Sequence, residues 1–271
     1  MSVAYALGHS EWELQRLETQ AALIDPMTRR YFLEAGLRPG MRVLDIGSGV
    51  GDVAFLAASI VGPDGAVVGV DRVPEALAGA RARAGERSLH NVTFHEGELE
   101  DVTLDESFDA LVGRYVLMFQ ERPAEVLRKV ARHVKSGGPI VMHEPDWDGA
   151  RSFPPAPLYD RCCDWIVRAI MAHGHASRMG KDLHAAFVAA GLPPPTMGLD
   201  TLLGGGETSA PLVGLIADLT RTLAGEIERH RIATAPEMDV ETLGTRMLEE
   251  TIAGDCVLVG RYEIGAWCRK P

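Results

Sequence analysis

Apolar residues recur along this chain with two periods, and the point where the period changes divides it. Near the start, Leu14, Leu17, Ala21 and Ile24 repeat at helical spacing behind an S-x-x-E capping pattern at Ser10 and Glu13. Asp25-Pro26 predicts the start of a second helix, and Gly36 its end. From Met41 onward the pattern predicts short apolar strands at 41–46, 66–70, 91–95, 108–113 and 140–143. Helical stretches at 52–61, 74–87 and 123–134 separate them. Strands alternating with helices imply right-handed βαβ units and a parallel sheet. Such a sheet is covered on both faces, which accounts for strands that are apolar throughout. After the proline-rich stretch 153–157 the alternation stops. Helices are predicted at 158–172, 182–190, 211–231 and 240–253, with strand patterns at 196–203 and 257–268.

Composition narrows the functional classes. The 271 residues are 46% hydrophobic and 24% charged, which excludes a disordered chain. Lys plus Arg is 27 and Asp plus Glu is 38, a net charge of −11, so the chain has no overall field to draw nucleic acid or an anionic membrane. No run of about 18 apolar residues occurs, so no membrane span is expected. Without a leader pattern, and with Cys162, Cys163, Cys256 and Cys268 in no C-x-x-C spacing, the reading is a reducing, cytoplasmic setting. No metal is expected: His173 and His175 form an H-x-H pair, but the sequence places no third ligand.

The chemistry concentrates at 43–52, Val-Leu-Asp-Ile-Gly-Ser-Gly-Val-Gly-Asp, at a strand-to-helix turn. Glycines there let the backbone approach a ligand, at the crevice where open α/β sheets bind theirs. A dinucleotide site is expected to rest a pyrophosphate on the helix start. Here Asp45 precedes the first glycine and Asp52 follows the third, and two carboxylates disfavour a phosphate. Asp71 ends the second strand, where an acid holds ribose hydroxyls. The combination describes a nucleoside with a cationic tail.

These residues resemble the class I S-adenosylmethionine-dependent methyltransferases, over about residues 40–145. Asp45-Ile46-Gly47-Ser48-Gly49 looks like their first motif, and 94–98, Phe-His-Glu-Gly-Glu, like the segment flanking adenine, with Glu98 where Asp is usual. Phe108-Asp109-Ala110-Leu111-Val112 looks like the fourth strand, with Arg114 and Tyr115 after it. A looser similarity is to the small-molecule enzymes of ubiquinone and menaquinone pathways. The resemblance implies an α/β Rossmann-like fold: a mostly parallel seven-stranded sheet with an antiparallel edge strand and a helical cap. It divides the chain into an N-terminal lid (1–40), a cofactor core (41–150), cap helices (151–195) and a sheet-completing segment (196–271), in one compact domain. It implies S-adenosylmethionine as cofactor, held by Asp45, Gly47, Ser48, Gly49, Gly51, Asp71, Arg72, Gly97, Glu98 and Arg114, with S-adenosylhomocysteine as product. The alternatives are a nicotinamide-dependent oxidoreductase, disfavoured by Asp52, and a catalytically silent cofactor-binding regulator.

Methyl transfer needs orientation and, for a protonated acceptor, a general base near the ends of strands four and five. His143 is the expected base. His9, Tyr115, Met118, Glu144, Trp147, Trp165 and His175 are expected to line a pocket for a small, apolar organic acceptor, under helices that exclude water. A homodimer is compatible with this reading.

Overall fold

A computed structural model describes residues 11–101, 104 and 107–271. The strands are β1 (Arg42–Ile46), β2 (Ala66–Asp71), β3 (Val92–Glu96), β4 (Ala110–Arg114), β5 (Pro139–Asp146), β6 (Arg151–Phe153), β7 (Thr196–Gly205) and β8 (Val257–Arg269). They form one sheet in the order β3-β2-β1-β4-β5-β8-β6, with β7 also on β8. Pairings β1–β2, β1–β4, β2–β3 and β4–β5 are parallel, and β6 runs antiparallel to β8. The expected mostly parallel sheet with an antiparallel edge is present, and β6 makes eight strands where the sequence pattern gave seven. Three residues are too few to show a period, so β6 could not be read from periodicity.

The helices are α1 (Glu11–Ala35), α2 (Asp52–Val61), α3 (Pro74–Glu86), α4 (Pro123–Val130), α5 (Pro157–Ala172), α6 (Met179–Ala189), α7 (Ala210–Arg229), α8 (Ala235–Met238) and α9 (Leu243–Ala253). Proline opens α3, α4 and α5, where its missing N–H is no loss. The break expected at Asp25-Pro26 does not occur: α1 runs through Pro26. An interior proline costs about 3 kcal/mol. Fully buried Ile24, Tyr31 and Phe32, together with the polar anchors Asp25 and Thr28, outweigh it. The same burial makes the second half of the expected lid, through Leu37, part of the core. The capping pair Ser10 and Glu13 lies outside the described residues and side chains.

The chain gathers into two compact units, each discontinuous in sequence. One comprises Ile24–Pro145, Met179–Leu199 and Glu263–Pro271; the other comprises Met1–Leu23, Asp146–Arg178 and Asp200–Tyr262. The core of the first is built by Tyr31, Phe32, Val43, Val61, Val67, Leu77, Val112 and Val141. The core of the second is built by Tyr159, Ile166, Leu212, Ile216, Ile227 and Leu258. No described helix is long and apolar enough to cross a membrane.

Candidate active site

The carboxyl ends of β1, β2, β4 and β5 carry most of the residues singled out from the sequence. Between β1 and α2 the chain turns through Gly47 (φ 63°), Gly49 (φ 50°) and Gly51 (φ 93°), in the left-handed region that glycine enters at least cost. At Gly47 a side chain is excluded twice over, because a Cβ there would stand 2.7 Å from Val116 Cγ2. At Gly49 no atom lies within 4 Å of where a Cβ would stand, so the space there is open.

Asp71 holds the turn in place. Its carboxylate accepts the Gly49 N–H at 2.8 Å and the Val73 N–H at 3.0 Å, and its backbone oxygen accepts the Gly97 N–H at 3.0 Å. An ionised carboxylate has about four lone-pair positions, so acceptor capacity remains. Arg72 and Glu98 are exposed and stand 4.0 Å apart. Asp52, read as a phosphate-repelling charge, is neutralised by Arg83 at 2.8 Å, and Arg83 also donates to the Val50 carbonyl at 2.7 Å. Its contribution is to fix the turn on α3.

Asp45 is the unusual group. It is fully buried, and neither carboxylate oxygen meets a donor in full hydrogen-bonding geometry, although the nearby Ala54 N–H favours its charged form; the buried Ser48 hydroxyl is likewise unmet. Burial pushes the Asp45 carboxyl well above its ordinary range. Arg114 opposes this, while Asp71 and Asp52 add to it. A carboxylate so buried and so poorly supplied with donors is disfavoured in its charged form, an arrangement that a cation would relieve.

A second layer of buried polar groups supports the ends of β4 and β5. Arg114 donates to Asp25 at 2.8 Å and to the Thr28 hydroxyl at 2.9 Å. Thr28 Oγ1 lies 3.0 Å from His143 Nδ1, and His143 Nε2 lies 3.0 Å from Glu263 Oε2. Glu263 also accepts the Tyr115 hydroxyl at 2.7 Å, and its backbone oxygen accepts the Tyr31 hydroxyl at 2.7 Å. Tyr115 itself holds φ 56°, a strained value for a bulky residue at a strand end. Glu144 accepts the N–H groups of Val116, Leu117 and Met118 at 2.9, 2.7 and 3.3 Å. Burial nevertheless raises its carboxyl to about 7 against those donors, with Glu263 adding to the rise.

This layer revises several expected roles. His143 has no exposed surface: Nδ1 lies 3.0 Å from Thr28 Oγ1, and Nε2 lies 3.0 Å from Glu263 Oε2 without the alignment of a hydrogen bond. Arg114 belongs to the same buried layer, held by Asp25 and Thr28. Glu144 is occupied with the backbone after β4, and Met118 is buried beside it. In the other unit, Trp147 is buried under the Arg261 guanidinium, 5.1 Å from its ring. Trp165 is part of the apolar core there, and His175 stacks on His173 at 5.9 Å. His9 lies outside the described residues. Asp25, Thr28, Tyr31 and Glu263 were not singled out from the sequence. Glu263 carried one signal: it is a lone carboxylate in an otherwise apolar strand pattern.

A family model described as "Methyltransferase domain" matches residues 37–185, more than half of the chain. The chain belongs to this family. The class I resemblance read from the sequence therefore holds, and the oxidoreductase alternative has no support. Among curated relatives, a 2-phytyl-1,4-naphtoquinone methyltransferase of Synechococcus elongatus is 37% identical over 146 residues, 52% of this chain and 60% of that protein. An arsenite methyltransferase of Halobacterium salinarum is 36% identical over 111 residues, 41% of this chain and 28% of that protein. The chain thus spans less than two thirds of these relatives' length. Among solved structures, the YcgJ protein of Bacillus subtilis superposes with a TM-score of 0.55 at 21% identity, covering 91% of this chain and 98% of that one. At that identity the likeness establishes the fold alone.

Proposed function

We propose that this methyltransferase-family chain binds S-adenosylmethionine and transfers its methyl group to a small, apolar organic acceptor. The observation that carries the reading is the turn after β1. The space beside Gly49 is open, Asp71 accepts the Gly49 N–H, and the buried Asp45 carboxylate on the preceding strand meets no donor in full hydrogen-bonding geometry. These features fit a nucleoside whose tail is cationic. Asp71 would hold the ribose hydroxyls by charge-assisted bonds, and Asp45 and Ser48 would meet the charged tail. Gly97 and Glu98 are the proposed adenine flank. When bound, the cofactor supplies an electrophilic methyl group; the protein's contribution is orientation and electrostatics.

For His143 we propose a positioning role. With Thr28 on one nitrogen and Glu263 on the other, it holds Glu263, which in turn orients Tyr115 at the end of β4. Tyr115 is the half-buried member of this set, and so the one best placed to face an acceptor.

The cysteines favour an organic acceptor over a soft metalloid, which calls for thiolate ligands. All four are buried and free, and burial pushes Cys162 up to about 12 and Cys268 up to about 11, so they are neutral thiols at physiological pH. The naphthoquinone-methylating relative points the same way.

The test is transfer of a labelled methyl group from S-adenosylmethionine to a panel of phenolic and quinol acceptors, with arsenite alongside. Label in an organic product supports the reading. Label on arsenite alone, or adenosyl-ligand binding with no turnover on any acceptor, contradicts it.

A further inference from the structure

Within the second unit, three side chains from separate parts of the sequence converge at one corner. His173 follows the last turn of α5. Glu226 lies in the last turn of α7, and His230 caps that helix four residues later, so both project from the same face. His173 Nε2 stands 2.9 Å from Glu226 Oε2, and His230 Nε2 stands 3.8 Å from the same oxygen. The three potential ligand atoms all lie within 4.8 Å of one another. Around a zinc-sized ion with bonds of about 2.1 Å, tetrahedral ligands sit roughly 3.4 Å apart. The two measured edges bracket that value.

The hydrogen inventory sharpens the case. His173 Nδ1 lies 3.0 Å from the Ala169 carbonyl oxygen, which can only accept, so Nδ1 carries the hydrogen. In the neutral ring Nε2 then bears a lone pair, and that lone pair faces a carboxylate oxygen at 2.9 Å. Two acceptors at that distance need a hydrogen or a cation between them. Donating one imidazole N–H to a backbone carbonyl, which leaves the other nitrogen to ligate, is also how metal-binding histidines are oriented. In the structure the charge comes from Arg229, whose Nη2 bonds Glu226 and lies 3.1 Å from His173 Nε2. Its side chain is 62% exposed and can swing into water.

We propose that His173, Glu226 and His230 form a binding site for a divalent transition-metal ion of the zinc class, with Arg229 as the internal cation that the metal displaces. Two imidazoles and one carboxylate suit Zn²⁺, Co²⁺ or Ni²⁺ rather than the all-oxygen preference of Ca²⁺ or Mg²⁺. The fourth position is left to water. The H-x-H pair noted in the sequence supplies one ligand, His173. The other two come from α7, more than 50 residues away, which is why spacing alone placed no third ligand. Such an ion would tie the end of α5 to the end of α7. The proposal does not depend on methyl transfer.

The experiment uses tag-free, chelator-stripped full-length protein and Zn²⁺ alone, read by calorimetry and by melting temperature. Co²⁺ absorption reports the ligand geometry. One equivalent should bind and raise the melting temperature, because an ion held only by the folded state stabilises it. His230→Gln and His173→Gln should each weaken binding about tenfold or more. Arg229→Ala, which removes the competing cation without touching a ligand, should bind at least as tightly as wild type. Failure to bind one equivalent, or unchanged affinity in both histidine variants, overturns the site. Weakened binding in Arg229→Ala overturns the displacement. His230 lies at an exposed helix end, so its variant keeps the test valid if His173→Gln fails to fold.

Discussion

His143 and Glu263 face each other across 3.0 Å with neither in contact with solvent, in a pairing that joins the middle of β5 to β8. Glu263 accepts from Tyr115 through the same oxygen, so one carboxylate anchors two aromatic groups. Removing one member of a buried polar pair leaves its partner without compensation. Glu263→Ala is therefore expected to lower unfolding free energy by about 3 kcal/mol. Urea unfolding checks this, and a loss near zero would mean the pair is not formed.

Tyr115 offers a backbone test. A left-handed conformation costs a residue with a Cβ about 1 kcal/mol more than it costs glycine. Both Tyr115→Ala and Tyr115→Gly lose the hydroxyl bond to Glu263, but the glycine variant should be the more stable of the two. Equal melting temperatures, or a more stable alanine variant, would remove the strain at this position.

Glu144 makes stability depend on pH in a definite direction. Its carboxyl titrates near 4.5 when unfolded and at about 7 when folded, because burial disfavours the charge. A raised folded value means that the stabilising contribution is complete below about pH 4.5 and is lost as pH climbs through about 7, by up to roughly 3 kcal/mol. Relative to Glu144→Gln, the wild type should lose stability between pH 5 and 8. A difference that stays flat, or grows with rising pH, would contradict the assignment.

Much of this fold is legible in the sequence because buried parallel strands and amphipathic helices impose plain periods. α2 matches its predicted bounds, and β2 and α3 differ from theirs by one residue. Continuity of α1 is not legible, because a local rule about Pro26 loses to tertiary contacts made by Tyr31, Phe32 and Thr28. In the site, the glycine turn, Asp45 and Asp71 are local in sequence and could be read. The partners of His143 could not: Thr28 is 115 residues from it, and only the fold brings them together. That distance also explains why the burial of a histidine at this strand end could not be read from the sequence. Asp52 is a similar case, since Arg83, 31 residues on, cancels the charge that the sequence argument relied on.

Asp71 has two tasks in this account, tethering Gly49 and Val73 and holding a ribose, and two variants separate them. Asp71→Asn keeps an acceptor for only one of the two tethered N–H groups, so it should melt below wild type but above Asp71→Ala, while weakening S-adenosylhomocysteine binding about tenfold or more. Unchanged affinity would take Asp71 out of the ligand site. Asp71→Ala should lower affinity and melting temperature together.

The central claim is that the turn after β1 receives a nucleoside with a cationic tail. The most direct measurement is calorimetric titration of the full-length protein with S-adenosylhomocysteine and, separately, with NADH. The account predicts one adenosyl ligand bound per chain, weakened by Asp45→Asn through loss of the negative charge that meets its ammonium group, and no heat from NADH. Saturable NADH binding without S-adenosylhomocysteine binding would contradict it.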